Sequence, residues 1–182
     1  MIRLFVGLAV PDAVAERLAT LQCGVPGARW VPRENLHVTL RFIGEVDEGV
    51  AADLDEALAT VTAPSPEITV HGLGRFGDKR GVRVLWAGVK PVPALLHLQA
   101  KVESACVQAG LAPEKRRFKP HISVARFAGS HLGGPRADAV VAANIDWPGG
   151  RYDPETMTLF RSFLGHEGAH YEALREYPLK SG

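Results

Sequence analysis

The chain has 182 residues, 46% of them hydrophobic and 23% charged, with a formal net charge of +1. That length suits one large domain or two small lobes, and the near-neutral balance excludes a global basic field for indiscriminate nucleic-acid binding, so an anion site must be a local cluster. The two cysteines, Cys23 and Cys106, have no metal-type spacing and form no disulfide framework, which points to a reduced, cytosolic compartment.

The opening run MIRLFVGLAV is too short for a signal peptide or a membrane span, and its apolar residues at both parities predict a buried strand over 3–10. Pro11 and Asp12 open a helix with Val14, Leu18 and Leu21 on one stripe. Residues 28–35 lead into a strand over 36–44. Asp47 is a candidate N-cap for a helix over 48–61. Two strands follow, over 67–76 and 82–89, joined by a Gly77–Gly81 hairpin turn. A third helix is predicted over 91–109, then a strand over 118–127. Residues 128–150 carry several glycines and prolines, which predicts a mobile loop with a short strand near 144–147. Strands over 151–164 and 169–178 close the chain.

Strand, helix, strand therefore occurs twice, and each second strand carries a histidine followed two residues later by a hydroxyl residue: His37-Val38-Thr39 and His121-Ile122-Ser123. Residues i and i+2 of a strand share a face, about 7 Å apart. Each histidine thus points with its hydroxyl partner, away from a core face of Val38, Leu40, Ile122 and Val124. Two such pairs facing one cleft supply donors for a tetrahedral phosphate. Two imidazoles, with unperturbed pKa values of about 6.5, supply an acid and a base. This scheme requires no metal and no cofactor. Strands interspersed with helices indicate an α+β class: two mainly antiparallel sheets around a central cleft, helices outside, with pseudo-two-fold symmetry.

NLHVTLRFIGEV and KPHISVARF resemble the two signatures of the 2H phosphoesterase superfamily, in particular the RNA 2′,3′-cyclic phosphodiesterase (2′-5′ RNA ligase) family. RLFVGLAVP, WVPRENLH, VLWAG and YEALREYPL extend the likeness over nearly the whole chain. Ser123 stands where threonine is commoner. The resemblance implies that 1–182 is a single domain built from two similar lobes. It implies hydrolysis of a terminal 2′,3′-cyclic phosphate on RNA to a 2′-phosphate by a cytoplasmic monomer with no membrane or protein partner. His37 would be the proton donor, His121 the proton acceptor, and Thr39 and Ser123 the phosphate holders. Two enzyme alternatives keep the chemistry: 2′-5′ ligation, or a small cyclic nucleotide as substrate. A non-catalytic RNA-end binding module is the alternative from another class, disfavoured because arginine or lysine would serve binding as well.

Phe42 and Arg126 each lie five residues after a histidine. Strict alternation turns both toward the core, where an unpaired guanidinium is very unfavourable. Either Arg126 meets a carboxylate, or the strand bulges and re-aims it at the phosphate, the option favoured here. Phe42 either packs in the core or stacks on a base at the cleft rim. Lys119 shares the His121 face by parity and Arg41 the His37 face, which makes both candidates for RNA contact. The run Lys115–Arg117 reads as a solvated loop or a basic rim. The remaining histidines, His71, His97, His131, His166 and His170, have no partner in sequence and receive no role.

Overall fold

The structure is a computed structural model describing residues 1–129 and 132–182. Nine strands and four helices follow in the order β1 (Ile2–Ala9), α1 (Asp12–Ala19), β2 (Arg29–Trp30), β3 (His37–Val46), α2 (Glu48–Ala59), β4 (Ile68–Asp78), β5 (Gly81–Val89), α3 (Pro93–Gln108), β6 (His121–Arg126), α4 (Pro135–Ala143), β7 (Pro148–Tyr152), β8 (Thr156–Gly165) and β9 (Gly168–Pro178). The chain is α+β and its strand pairings are antiparallel.

The two expected sheets are halves of one strand order, β7-β4-β5-β6-β3-β1-β8-β9, with β2 added on β6. Where the halves meet, β3 and β6 share the pair Val38↔Ile122. Each half repeats the same path outward, from β3 through β1 to β8, and from β6 through β5 to β4. The halves are related in connectivity as well. Helix α1 joins β1 to β3, and α3 joins β5 to β6. The core lies on the face opposite the histidines, where Val38, Leu40, Ile122 and Val124 are buried against the helices. Leu54 and Leu58 of α2 and Leu95, Leu98 and Val102 of α3 are fully buried there, each contributing roughly 1.5–3 kcal/mol. The oxygen of Asp47 accepts from the Val50 amide at 2.9 Å, which makes it the N-cap of α2.

The expected loop over 128–150 is corrected. Residues Pro135–Ala143 form α4, and the short strand is β7, later than expected. Gly134-Pro135 is a helix start, with proline at the first turn, followed by an alanine-rich run that includes Ala137, Ala139, Ala142 and Ala143. Ser130 and His131, within that expected loop, lie outside the described residues. No helix among the described residues is long and apolar enough to cross a membrane.

Candidate active site

The register at Val38↔Ile122 arranges the four motif side chains. With both apolar partners buried below, His37, Thr39, His121 and Ser123 project from the opposite face. Antiparallel pairing sets Thr39 beside His121 and His37 beside Ser123. The strands part beyond this pair, and a cleft of about 660 Å³ opens between them, lined by Thr39, Phe42, Phe76, Lys119, His121, Ser123 and Arg126 among others.

Both imidazoles are held the same way. Nδ1 of His37 donates to the Asn35 carbonyl at 2.7 Å, and Nδ1 of His121 donates to the Lys119 carbonyl at 2.6 Å. A carbonyl only accepts, so in each neutral ring the proton sits on Nδ1 and Nε2 keeps a lone pair. The Thr39 hydroxyl donates to Nε2 of His37 at 2.9 Å. Aromatic rings wall in each histidine. Phe5 lies 4.6 Å from the His37 ring centroid and Tyr171 meets it edge-on at 5.3 Å. Phe76 meets His121 edge-on at 5.0 Å, with Trp86 at 5.9 Å.

This enclosure disfavours the charged imidazole. Burial lowers the His37 pKa to about 4, with the Arg126 and His121 charges adding to the effect against the hydrogen bond to Asn35. Burial also lowers the His121 pKa, assisted by Arg126 and Lys119. Both rings are therefore neutral at neutral pH.

The alternation of each motif strand breaks just after its hydroxyl residue. In β3 the pairs Gly7↔Thr39 and Val6↔Arg41 leave Leu40 as an extra residue; in β6 the pairs Trp86↔Ser123 and Leu85↔Ala125 leave Val124. Both bulges fall three residues after the histidine. They reverse the parity that follows, so Phe42 and Arg126 return to the cleft and are exposed. The guanidinium of Arg3 lies 4.8 Å over the Phe42 ring.

The same bulge changes the setting of Arg41, which still borders the cleft. Rather than sharing the His37 face, it is 9% exposed, and its guanidinium donates to Glu103 at 2.5 Å and to the carbonyls of Phe42 and Ala112, both at 2.6 Å. It is a strut between β3, α3 and the segment leading to the second motif, at the edge of the cleft. Lys119 does lie on the His121 side, its ammonium 4.9 Å from the Trp86 ring centroid and 5.4 Å from Phe76. Arg116 pairs with Glu114 at 3.1 Å, and both line the cleft beside Arg117.

Sequence reasoning missed the aromatic walls and Asn35. Trp86 had a usable signal, because in β5 it shares parity with Val84 on the cleft side. Gly74, opposite it on β4, is glycine for a steric reason: a Cβ there would overlap the Trp86 ring. Asn35 has only its place two residues before a histidine.

A two-fold-related pair of His–hydroxyl strands in one cleft, on this sheet, defines a two-histidine phosphoesterase. The model described as the 2′-5′ RNA ligase superfamily matches residues 10–162. A protein of Aeropyrum pernix named RNA 2′,3′-cyclic phosphodiesterase is 36% identical over 154 residues, which cover 84% of this chain and 86% of that one. A protein of the same name from Geobacillus stearothermophilus is 41% identical over 117 residues, 63% of this chain but 37% of that longer protein. The crystal structure of E. coli LigT in apo form is similar with a TM-score of 0.77 over 98% of both chains, at 25% identity. The chain belongs to the 2′-5′ RNA ligase superfamily.

Proposed function

We propose that the chain is an RNA 2′,3′-cyclic phosphodiesterase, converting a terminal 2′,3′-cyclic phosphate to a 2′-phosphomonoester. The observation that carries this reading is the pair of imidazoles on adjacent strands, each fixed by an Nδ1–H bond to a backbone carbonyl, with His121 lining the cleft and Nε2 of His37 bonded to the cleft residue Thr39. Two relatives of that name, aligned over 84% and 63% of the chain, support the substrate class.

In this reading Nε2 of His121 takes a proton from water as the oxygen attacks phosphorus. The bond from phosphorus to the 3′ oxygen breaks, and Nε2 of His37 delivers a proton to that oxygen. Thr39, Ser123 and Arg126 hold the non-bridging oxygens, and Arg126 offsets charge that builds in the transition state. Burial keeps His37 neutral at neutral pH, so it must gain its proton as the anionic phosphate binds. The bound anion opposes the effect of Arg126 and draws the Thr39 hydroxyl from Nε2 to a phosphate oxygen. Phe42, braced by Arg3, takes the terminal base, and Lys119 faces the RNA backbone.

Both motif strands come from one chain, so a monomer suffices, and the chain acts as one domain of two similar lobes. Free Cys23 and Cys106 accord with a cytoplasmic site of action. The test is an oligoribonucleotide with a terminal 2′,3′-cyclic phosphate, incubated with and without EDTA. A 2′-phosphate product in both conditions is expected. A 3′-phosphate product, or tight binding without turnover, would overturn the reading.

A further inference from the structure

The two histidines make the same bond to the carbonyl two residues upstream, yet that carbonyl is held by different means. Before His121 the sequence is Lys119-Pro120, and a residue preceding proline is confined to extended backbone. The Pro120 carbonyl is in turn paired with the Val89 amide at 3.3 Å. Before His37 the sequence is Asn35-Leu36, with no such restriction. There the holding group is a side chain. Asn35 is 6% exposed, a buried polar residue in a largely apolar core, and its Nδ2 donates to the Ala169 carbonyl of β9 at 2.7 Å. Its amide N–H donates to the Pro32 carbonyl at 2.9 Å, closing the short 3-10 turn Arg33–Asn35. Two residues along β9, Tyr171 packs edge-on against His37.

We infer that Asn35 is a positioning residue for His37: its side chain, anchored on β9, holds its own carbonyl against Nδ1 and so keeps Nε2 as the nitrogen with the lone pair, as Pro120 does for His121. A buried side-chain amide is costly unless paired, and this one is paired across the sheet with the strand that also packs the ring. The consequence is chemical as well as structural. With the carbonyl free to turn, the imidazole can carry its proton on Nε2, and that tautomer cannot accept the Thr39 hydroxyl or exchange a proton with substrate in the right sense.

This inference rests on the proposed function only for its kinetic arm. Nitrogen-15 spectra of the histidine rings report the tautomer directly, with no turnover needed. The wild-type protein is expected to show the Nδ1–H form at both His37 and His121 above pH 7. In Asn35→Ala, His37 is expected to show mixed tautomers with His121 unchanged, and kcat on the cyclic-phosphate oligonucleotide to fall roughly 10- to 100-fold with KM altered less than about twofold. In Pro120→Ala the mixture is expected at His121 alone. A wild-type His37 protonated on Nε2 would overturn the inference even if no variant folds. So would Asn35→Ala with a pure Nδ1–H signal and wild-type kcat. Expected tautomers in a protein that hydrolyses no cyclic phosphate would sink the proposed function while leaving Asn35 in its role.

Discussion

Leu40 and Val124 occupy equivalent places in the two halves of the sheet: each is the unpaired residue of a bulge three positions after its histidine. Both remain buried, at 2% and 1% exposure, while the residue after each is buried as well. Two consecutive core-facing residues reset the strand parity. That irregularity, made at the same place in each motif strand, sets Phe42 and Arg126 exposed on the cleft beside the histidines and leaves Arg41 buried at its edge.

Arg126 follows directly from that geometry. It is exposed and makes no ion pair among the described residues. Arg126→Ala should leave stability within about 0.5 kcal/mol and lower kcat/KM by roughly 10²- to 10³-fold. Arg126→Lys should recover only part of it, because an ammonium lacks the planar fork. Steady-state kinetics beside urea unfolding separate the two effects. Unchanged kcat/KM in Arg126→Ala would remove the residue from the phosphate site.

Arg41 should behave in the opposite way. Its truncation leaves Glu103 without its partner and two carbonyls without a donor, a loss on the order of 3–5 kcal/mol. A lower urea midpoint is the expected result for Arg41→Ala. An unchanged midpoint with weakened, salt-sensitive RNA binding would make Arg41 an RNA contact rather than a strut.

Acid should destabilise the fold through His37. Its folded pKa, about 4, lies below the unfolded value of about 6.5, so the unfolded chain takes up a proton first. The stabilisation is present above pH 6.5 and is lost as pH falls toward 4, at a slope approaching about 1.4 kcal/mol per unit. Unfolding free energies measured across that window should decline with acid, and less steeply in His37→Ala. Equal slopes in the two proteins would contradict the burial of a neutral ring.

Much of this was legible before any coordinates. The buried first strand, the hairpin at Gly77–Gly81, the Asp47 cap and the shared face of each His–hydroxyl pair follow from local periodicity and capping chemistry. The bulges could be demanded from Arg126, because a lone guanidinium is not tolerated in a core. The same reasoning failed at Arg41, whose parity was carried through the bulge and whose carboxylate partner, Glu103, is distant in sequence. Helix α4 was obscured by its glycine-rich approach, and β7 by Gly149, which the pairing with β4 skips and where a side chain would strike Val70. Asn35 was hidden for another reason: its partner Ala169 is on the last strand, and no local pattern announces a contact of that range.

The central claim is that His37 and His121 act as one acid–base pair on a terminal cyclic phosphate. Single-turnover hydrolysis of a 2′,3′-cyclic-phosphate oligoribonucleotide by wild type, His37→Ala, His121→Ala and the double variant tests it most directly. Each single variant should lose roughly 10²- to 10⁴-fold in rate, with the double variant little worse than either, since both protons move in the same transition state. A near-wild-type rate in either single variant would contradict the account.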